Sequence, residues 1–282
     1  MSVRPPAVAG TFYAGSRDAL VKQIEGCFLH RLGPGKLPEV AEGALKRVVG
    51  LVCPHAGYMY SGPVAAHSYY RLASDGRPEV VVILGPNHHG VGSAIATVRG
   101  GVWRTPLGDV EVDGEVAMKI VEYSGIVDLD ENAHRYEHSI EVQLPFLQYL
   151  YGDEFRFVPI AMLMQDSQSS VELGRAIAKA LSGMNAVVIA STDLTHYEPQ
   201  ETASKKDNAV IKAILDLDVD SLYKTVMSLN VSMCGYGPAA AAITASREAG
   251  ANTAKLLSYK TSGDVTGDFS AVVGYAALSI ER

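Results

Sequence analysis

The stretch RVVGLVCPHAGY, residues 47–58, decides the fold of this chain. It is a short run of β-branched and apolar residues that leads into a proline and a histidine, which predicts a buried strand over residues 47–53 and then a loop carrying His55. The same arrangement occurs twice more: the predicted strand over residues 80–84 leads into GPNHHG, and the one over residues 186–190 leads into STDLTHY. Short, fully apolar strands of this kind are typical of a parallel sheet that is covered on both faces.

Segments with helical periodicity separate these strands, and this alternation predicts an α/β fold with a mostly parallel central sheet. No change in composition divides the chain, so we expect a single domain over residues 1–282. Further strands are predicted at residues 155–162, 255–259 and 271–280. Helices are predicted at residues 63–72, 114–123, 138–151, 170–181, 204–215 and 238–248.

The composition argues against several classes of protein. The formal net charge of -7 offers no basic surface for a nucleic acid backbone, and it favours a small-molecule or peptide substrate. No apolar run reaches the roughly 18 residues that a membrane-spanning helix needs, and the N-terminus lacks the pattern of a signal peptide. Three cysteines do not describe a disulfide framework. We therefore expect a cytoplasmic protein with reduced thiols that binds neither nucleic acid nor a membrane.

Imidazole and carboxylate side chains follow the predicted strands at the points where the strands end. His55 follows the first of the three strands quoted above, His88 and His89 follow the second, and Asp193 and His196 follow the third. The carboxyl ends of parallel strands meet at one edge of a sheet, so we expect these residues in one crevice. Neighbouring side chains on an extended backbone point apart. We therefore place His88 in the shared site and leave His89 behind it or in contact with substrate.

Cys234 is expected to approach the same crevice from a helix. The stretch MCGYGP, residues 233–238, precedes a predicted helix with Pro238 near its first turn. A thiol beside the N-terminus of a helix experiences the positive end of the helix dipole, which favours a thiolate that binds metal or acts as a nucleophile. Each of these residues alone could be an ordinary loop histidine or buried thiol without a functional role. Their predicted placement in one crevice favours His55, His88 and Cys234 as one metal-binding set.

Three polar residues open the predicted helix over residues 138–151. Glu137, His138 and Glu141 lie on overlapping helical faces because of their spacing. Acidic residues at this end of a helix also complement its dipole. The pattern therefore leaves open whether His138 and Glu141 line the pocket. Tyr58 has two interpretations as well, since it could line a substrate pocket or pack against the following helix.

Four motifs carry a resemblance to a known family: PHAGY, LGPNHHG, EHSIEVQLPF and STDLTHY, at residues 54–58, 84–90, 137–146 and 191–197. With AGTFYAG, WRTPLGDV and MCGYGP in support, the chain resembles the Memo family along most of its length. The resemblance implies the α/β/α sandwich of class III extradiol dioxygenases, in which two histidines and a glutamate hold iron(II). Matched by motif, His55 and His88 take the two histidine positions. Cys234 takes the carboxylate position, and His196 takes that of the acid/base histidine.

A sulfur ligand in place of a carboxylate suits zinc, copper(I) or iron. The resemblance thus implies one divalent metal, with Fe(II) as our first expectation and zinc or copper as alternatives, and it implies a radical-SAM partner protein. The first functional hypothesis is a dioxygenase-like enzyme of unknown substrate that uses mononuclear non-haem iron for redox chemistry. In it, His196 transfers a proton and Asp193 orients or charge-stabilises the imidazole.

Two other functions stay open. One is a metal-assisted hydrolase that uses zinc in the same site, with His196 or Glu141 as the base. The other is a non-catalytic peptide or protein-binding module that retains the metal pocket. Its binding surface would be a groove around Trp103, Tyr58 and Arg104, because aromatic and arginine side chains often anchor interfaces.

Overall fold

Strands and helices alternate along most of the chain, as the sequence pattern predicts. The computed structural model describes residues 2–282. The strands are β1 (Val3–Arg4), β2 (Val48–Cys53), β3 (Val80–Pro86), β4 (Ile95–Thr97), β5 (Val102–Thr105), β6 (Gly108–Glu111), β7 (Asp128–Leu129), β8 (Arg156–Met162), β9 (Ala186–Ser191), β10 (His196–Glu198), β11 (Thr253–Thr261) and β12 (Val272–Glu281). The α-helices are α1 (Arg17–Leu29), α2 (Tyr58–Ala73), α3 (Gly114–Ser124), α4 (Leu144–Tyr151), α5 (Ser167–Ala180), α6 (Gln200–Leu215), α7 (Val219–Ser228), α8 (Tyr236–Glu248) and α9 (Gly263–Thr266). Two 3-10 helices lie at Glu131–His134 and Glu141–Gln143.

The large sheet has a parallel centre and antiparallel strands toward its edges. Its order is β10-β12-β2-β9-β3-β8-β4-β7, and β11 also pairs with β12. The neighbouring strands β2, β9, β3 and β8 run parallel. Strand β12 is antiparallel to β2, and β4 is antiparallel to β8. The predicted α/β fold is confirmed, and the predicted C-terminal strands form the antiparallel part of the sheet.

Alternate side chains of the central strands pack against helices on opposite faces. Val80, Val82 and Leu84 of β3 lie in an apolar cluster with residues of α3, α5 and α8. Val81 and Ile83 lie in a second cluster with residues of α1, α2 and α4. Successive side chains of a strand point to opposite faces. The protein is therefore an α/β/α sandwich, and each fully buried aliphatic side chain stabilises it by about 1.5–3 kcal/mol.

The predicted helix over residues 138–151 is only half formed, since α4 covers its second part. Ahead of α4, the carboxylate of Glu137 accepts the backbone N–H groups of His138 and Ser139 at 2.8 and 2.9 Å. Pro145 lies in the first turn of α4, where its missing N–H is tolerated, and its ring disfavours a continuous helix upstream. His138 consequently lies in a turn beside the sheet rather than on a helix.

A second, small sheet joins the N-terminus to the middle of the chain. Strand β1 pairs parallel with β5, and β5 pairs antiparallel with β6. The sequence pattern does not predict this sheet, because strands of two to four residues leave little periodicity. Helix α7 is not predicted either. Within residues 2–282, no helix combines the length and the apolar character needed to cross a membrane.

Candidate metal centre

Three adjacent strands deliver the candidate site to one edge of the sheet. Strand β9 lies between β2 and β3, and His55, His88 and Asp193 each follow the end of one of these strands by two residues. The strands are parallel, so all three residues lie at the same edge. The ring centroids of His55 and His88 are 5.2 Å apart. The structure thus brings the predicted imidazoles together.

A hydrogen-bond network fixes which nitrogen of His55 is free. Its Nδ1 lies 3.0 Å from Oγ of Ser191. That hydroxyl donates to the carbonyl oxygen of Ser139 at 2.6 Å and accepts from Nε2 of Gln143 at 2.8 Å. A hydroxyl has one proton to donate, so Nδ1 of His55 must be the donor in its contact, and Nε2 keeps its lone pair. Burial holds the pKa of His55 well below its usual value, and the neighbouring imidazoles lower it further. The ring is therefore neutral.

His88 is oriented in the same way by a buried carboxylate. Its Nδ1 lies 2.9 Å from Oε1 of Glu137, and its backbone N–H donates to Oε2 at 2.6 Å. Burial alone would raise the pKa of Glu137, but the hydrogen bond from His88 and the nearby imidazoles lower it below its usual range. A carboxylate can only accept, so Nδ1 of His88 is protonated and Nε2 is free. Histidines that bind metals usually carry such a partner on the other nitrogen.

His138 completes a group of three imidazoles. Its ring stacks on His88 with a centroid distance of 4.7 Å, and it stands at 88° to the ring of His55 at 5.6 Å. One nitrogen from each of the three rings lies within 4.8 Å of the other two. Burial lowers the pKa of His138 to about 4, with Glu137 opposing the shift, so this ring is also neutral at physiological pH. Of the two interpretations left open for His138, the structure favours the pocket.

Cys234 lies beside this group rather than within it. Its Sγ is 3.3 Å from Nε2 of His55 and accepts the backbone N–H of Asp193 at 3.2 Å. Within the described part of the chain, no set of ligand atoms closer than 4.8 Å unites Cys234 with both His55 and His88. Burial, followed by the charge of Asp193, raises the pKa of Cys234. The free side chain is therefore a thiol, not the thiolate expected beside a helix N-terminus.

Gly235 allows Cys234 to approach the end of β9. A Cβ atom at this position would lie 2.7 Å from both the carbonyl oxygen of Ser191 and Cβ of Thr192. The backbone N–H of Gly235 donates to Oγ1 of Thr192 at 2.9 Å. Any larger residue would push the cysteine away from His55.

Asp193 and His196 lie near the site without the contact predicted between them. The carboxylate of Asp193 accepts the backbone N–H of His55 at 2.8 Å, and burial raises the pKa of Asp193 to about 6. Nδ1 of His196 lies 2.8 Å from the carbonyl oxygen of Ser232 and must donate to it, which leaves Nε2 free. Among the hydrogen bonds of residues 2–282, none joins the two side chains. Asp193 therefore anchors the backbone of His55, and it interacts with His196 through charge rather than through a hydrogen bond.

Glu141 is a structural residue and does not line the pocket. It is fully buried, and its two oxygens bind the N-terminal segment. The donors are Nη1 of Arg4 at 2.6 Å, the N–H of Ala7 at 2.8 Å, the N–H of Val8 at 3.1 Å and the hydroxyl of Tyr13 at 2.7 Å. We call these five residues the N-terminal clasp. With both oxygens engaged, Glu141 is not available as the base that the hydrolase hypothesis allowed.

Tyr58 packs in the core, which also removes the predicted binding groove. Its hydroxyl donates to the carbonyl oxygen of Val142 at 2.6 Å, and the residue is 3% exposed. Trp103 is equally buried, while Arg104 is paired with Asp109 at 2.7 Å. The three residues therefore do not share one accessible surface, and Trp103 instead lines a cavity of about 280 Å³ with Arg4 and His134.

His89 belongs to a second group of ligand atoms that adjoins the first. It is exposed, and one of its ring nitrogens lies within 4.8 Å of atoms from Glu137 and His138. His88 is not part of this group. The two neighbouring histidines therefore belong to different groups, although they lie in a bend and not on an extended segment.

Three residues that organise the site have no role in the sequence-based interpretation. Glu137 orients His88, while Ser191 and Gln143 orient His55. Glu137 stands directly before a histidine in a motif, and Ser191 directly ends a strand that leads to the site, so both carried a positional signal. For Gln143 we find no such signal in the sequence.

Known proteins resemble this chain over nearly its whole length. A family model described as Memo-like protein matches residues 4–279. A MEMO1 family protein of Methanopyrus kandleri is 56% identical over 281 residues, which covers 99% of each chain. One from Methanothermobacter thermautotrophicus is 54% identical over 279 residues, covering 98% of this chain and 100% of the relative. A solved structure, that of uncharacterized protein JW3007 from Escherichia coli K12, covers 82% of this chain and 99% of its own, with a TM-score of 0.58 and 16% identity. That likeness concerns the fold alone.

Proposed function

The chain belongs to the Memo-like protein family, and from that premise we propose that it is a metal-dependent redox enzyme whose ion is held by His55, His88 and Cys234. One observation carries this proposal. Each of the two imidazoles donates a hydrogen bond from Nδ1 to a buried acceptor and keeps the lone pair of Nε2 free, and the two ring centroids are 5.2 Å apart. Rings held in this way, with a hydrogen bond on one nitrogen and the other nitrogen free, are the usual form of histidine ligands. We take Fe(II) as the ion, with zinc or copper as alternatives.

The donor set fits an ion of this kind. Imidazole nitrogen and sulfur bind iron, zinc and copper, whereas magnesium and calcium favour oxygen ligands. The distance of 3.3 Å between Sγ of Cys234 and Nε2 of His55 is close to the separation of about 3.5 Å expected for two ligands of one tetrahedral ion. The thiol must release its proton on binding. His138 offers a further nitrogen at the same place.

Bound iron(II) supplies one-electron chemistry toward dioxygen or a small redox-active substrate. The protein's own residues supply position and proton transfer. His196 donates from Nδ1 to the Ser232 carbonyl and so presents Nε2 as a base, and we assign it the proton that the substrate gains or loses. Asp193 holds the backbone of His55 in place. His88 is exposed and His138 partly so, which leaves a path for a small molecule from solvent.

Metal content tests the ligand assignment. We would purify the protein anaerobically, reconstitute it with Fe(II), and compare the wild type with His55→Ala, His88→Ala and Cys234→Ala by elemental analysis. We expect at least one equivalent of iron in the wild type and a loss of about one equivalent in each variant. The matched control is His67→Ala, whose ring lies 3.0 Å from the Leu32 carbonyl and outside both ligand groups. Equal iron in all five proteins would refute the assignment.

Oxygen consumption tests the redox function. Metal-loaded protein is expected to consume dioxygen with at least one of a panel of small reduced substrates, and metal-free protein is not. His196→Gln should slow turnover while leaving the iron content unchanged, because its ring is not a ligand in this proposal. Identical rates with and without metal would contradict the redox function.

The all-nitrogen group of His55, His88 and His138 favours one second candidate, zinc-dependent hydrolysis. Three imidazoles are a ligand set of catalytic zinc, which lowers the pKa of bound water to about 7. His196 would then be the base. Zinc-loaded protein that hydrolyses an ester, amide or phosphoester, and loses this activity in His138→Ala, would place hydrolysis first. If both metals leave the protein inactive, the non-catalytic binding module remains, and the radical-SAM partner stays a prediction that co-purification can test.

A further inference from the structure

The ligand groups of the candidate centre contain more donors than one ion needs. The proposed ion uses His55, His88 and Cys234. The second group, formed by His89, Glu137 and His138, adjoins it without sharing any of those three residues. It offers two imidazole nitrogens and a carboxylate oxygen, which are ligands of divalent zinc, manganese and iron. Catalytic ions are commonly held by three protein ligands with the remaining positions open.

Glu137 has a lone pair available for such an ion. Its Oε1 accepts hydrogen bonds from Nδ1 of His88 and from the backbone N–H groups of His138 and Ser139. Its Oε2 accepts a single bond, from the backbone N–H of His88 at 2.6 Å. A carboxylate oxygen accepts about two hydrogen bonds. Oε2 can therefore bind a cation while Oε1 continues to hold His88 in place.

His138 lies between the two groups. Its Nδ1 is 3.5 Å from Oε1 of Glu137, so this nitrogen is on the side of the second group. When Cys234 serves the first ion, that ion does not need His138 as its third ligand. The imidazole is then free to bind a neighbouring ion.

The loop that carries His89 is held in shape before any ligand binds. Oδ1 of Asn87 accepts the backbone N–H groups of His89 and Gly90, both at 3.1 Å, and Nδ2 of Asn87 donates to the Val91 carbonyl at 2.8 Å. The ligand atoms of the group lie within 4.8 Å of one another, whereas nitrogen ligands of one tetrahedral ion are about 3.3 Å apart. Side-chain rotation of the exposed His89 can close most of this difference.

We propose that the protein binds a second divalent cation through His89, Glu137 and His138, next to the ion of the proposed function. The availability of His138 rests on the proposed function, in which Cys234 is the third ligand of the first ion, but the test uses His89, which that ion does not need. Two neighbouring ions can bind and polarise a single small ligand together.

Zinc stoichiometry tests the second site. Metal-free protein is titrated anaerobically with Zn²⁺ against a competing chelator, and bound zinc is counted after gel filtration. The wild type is expected to bind two equivalents, and His89→Ala one. The variant should keep the melting temperature of the wild type, because His89 is exposed. The control His67→Ala should bind two.

Cobalt(II) tells the two sites apart by spectroscopy. Cobalt bound to a thiolate has an intense charge-transfer absorption, and cobalt bound only by nitrogen and oxygen does not. His89→Ala should bind one equivalent of cobalt less than the wild type and keep the charge-transfer absorption. Cys234→Ala should lose this absorption and still bind the equivalent of cobalt at His89. Variants of Glu137 are left out here, since this residue touches both sites.

The possible results separate the two proposals. One equivalent in the wild type, or two in His89→Ala, overturns the second site. If His55→Ala and Cys234→Ala still bind two equivalents while His89→Ala binds one, the second site stands and the proposed catalytic ion fails. A wild type that binds no zinc overturns both.

Discussion

Glu137 and Glu141 are both buried and lie four residues apart, yet their oxygens face different parts of the molecule. Glu137 accepts hydrogen bonds from His88 and from backbone groups next to it, and it lies among imidazoles at the edge of the sheet. Glu141 is the centre of the N-terminal clasp, where it pairs with the guanidinium of Arg4 at 2.6 Å. One carboxylate thus orients a candidate metal ligand through a hydrogen bond. The other faces a permanent cation.

Arg4 connects the two regions mechanically. Besides Glu141, its guanidinium donates to the carbonyl oxygens of His134 at 2.8 Å and Glu137 at 2.6 Å, and it lies 4.0 Å from the ring centroid of Trp103. The clasp therefore fixes the backbone of Glu137, whose carboxylate orients His88. From this difference we expect changes in the clasp to affect the free energy of unfolding, and changes around Glu137 to affect metal affinity.

Glu141→Gln should have the largest effect. Removing one charge of a buried ion pair leaves the other uncompensated, which costs about 3–5 kcal/mol. Urea unfolding of the metal-free protein measures this loss. Glu154→Gln is the matched control, because the Arg77–Glu154 pair is exposed and such pairs contribute about 1 kcal/mol or less. Similar losses in the two variants would mean that the clasp is no more important than a surface pair.

Glu137→Gln should instead weaken metal binding. The amide no longer provides a charged acceptor for Nδ1 of His88, and loss of such a partner typically lowers affinity by about 10- to 100-fold. Competition with a chelator measures the affinity. Glu141→Gln, measured under conditions where it is folded, should bind metal as the wild type does. Equal losses of affinity in both variants would remove the distinction between the two carboxylates.

Metal affinity should also depend on pH through Cys234. Since burial raises the pKa of this thiol, binding as thiolate releases one proton per ion in the neutral range. Affinity should therefore rise about tenfold per pH unit between about pH 6 and 8. His55 adds little to this slope, because burial holds its pKa well below the usual value. Cys234→Ala should show a shallower profile, and equal slopes in the two proteins would argue that sulfur is not a ligand.

The sequence predicts the part of the site that depends on strand ends. Strands β2, β3 and β9 are short, apolar and parallel, so the positions of His55, His88 and Asp193 follow from where each strand stops. The same logic predicts the order of strands and helices in the α/β/α core. These features depend on residues that are neighbours in the chain, so the sequence pattern is sufficient to predict them.

The sequence does not predict contacts between distant segments. Glu137 and Glu141 look alike in the motif, and the N-terminal residues that engage Glu141 are more than 120 positions away, as the separation of 128 between Tyr13 and Glu141 illustrates. The choice between helix and turn at His138 depends on one carboxylate and on Pro145. The hydrogen bond from the His55 backbone to Asp193, which lies 138 positions further along the chain, is another contact of this kind.

The smallest expected effect on the free energy of unfolding comes from backbone strain at Tyr197, next to His196. No residue of the N-terminal clasp has a left-handed backbone conformation. Tyr197 has a φ of 59°, a left-handed conformation that costs a bulky residue about 1–2 kcal/mol. Asn230 has a similar φ of 49°, but asparagine tolerates this region. Replacing either residue by glycine adds the same freedom to the unfolded chain. Urea unfolding measures the change in the free energy of unfolding of each variant from the wild type. This change should be more favourable for Tyr197→Gly than for Asn230→Gly by about 1 kcal/mol.

This pair of variants also bears on how His196 is held. If Tyr197→Gly gains the expected stability and slows turnover, the strained turn positions the imidazole for proton transfer, since relaxing the turn lets the ring move. A gain in stability with unchanged turnover would assign the positioning to Ser232, whose carbonyl and hydroxyl oxygens bind the ring and the backbone of His196 at 2.8 and 2.7 Å. No difference between the two glycine variants would mean that the site region is as relaxed as the clasp, and that the two regions differ in chemistry alone.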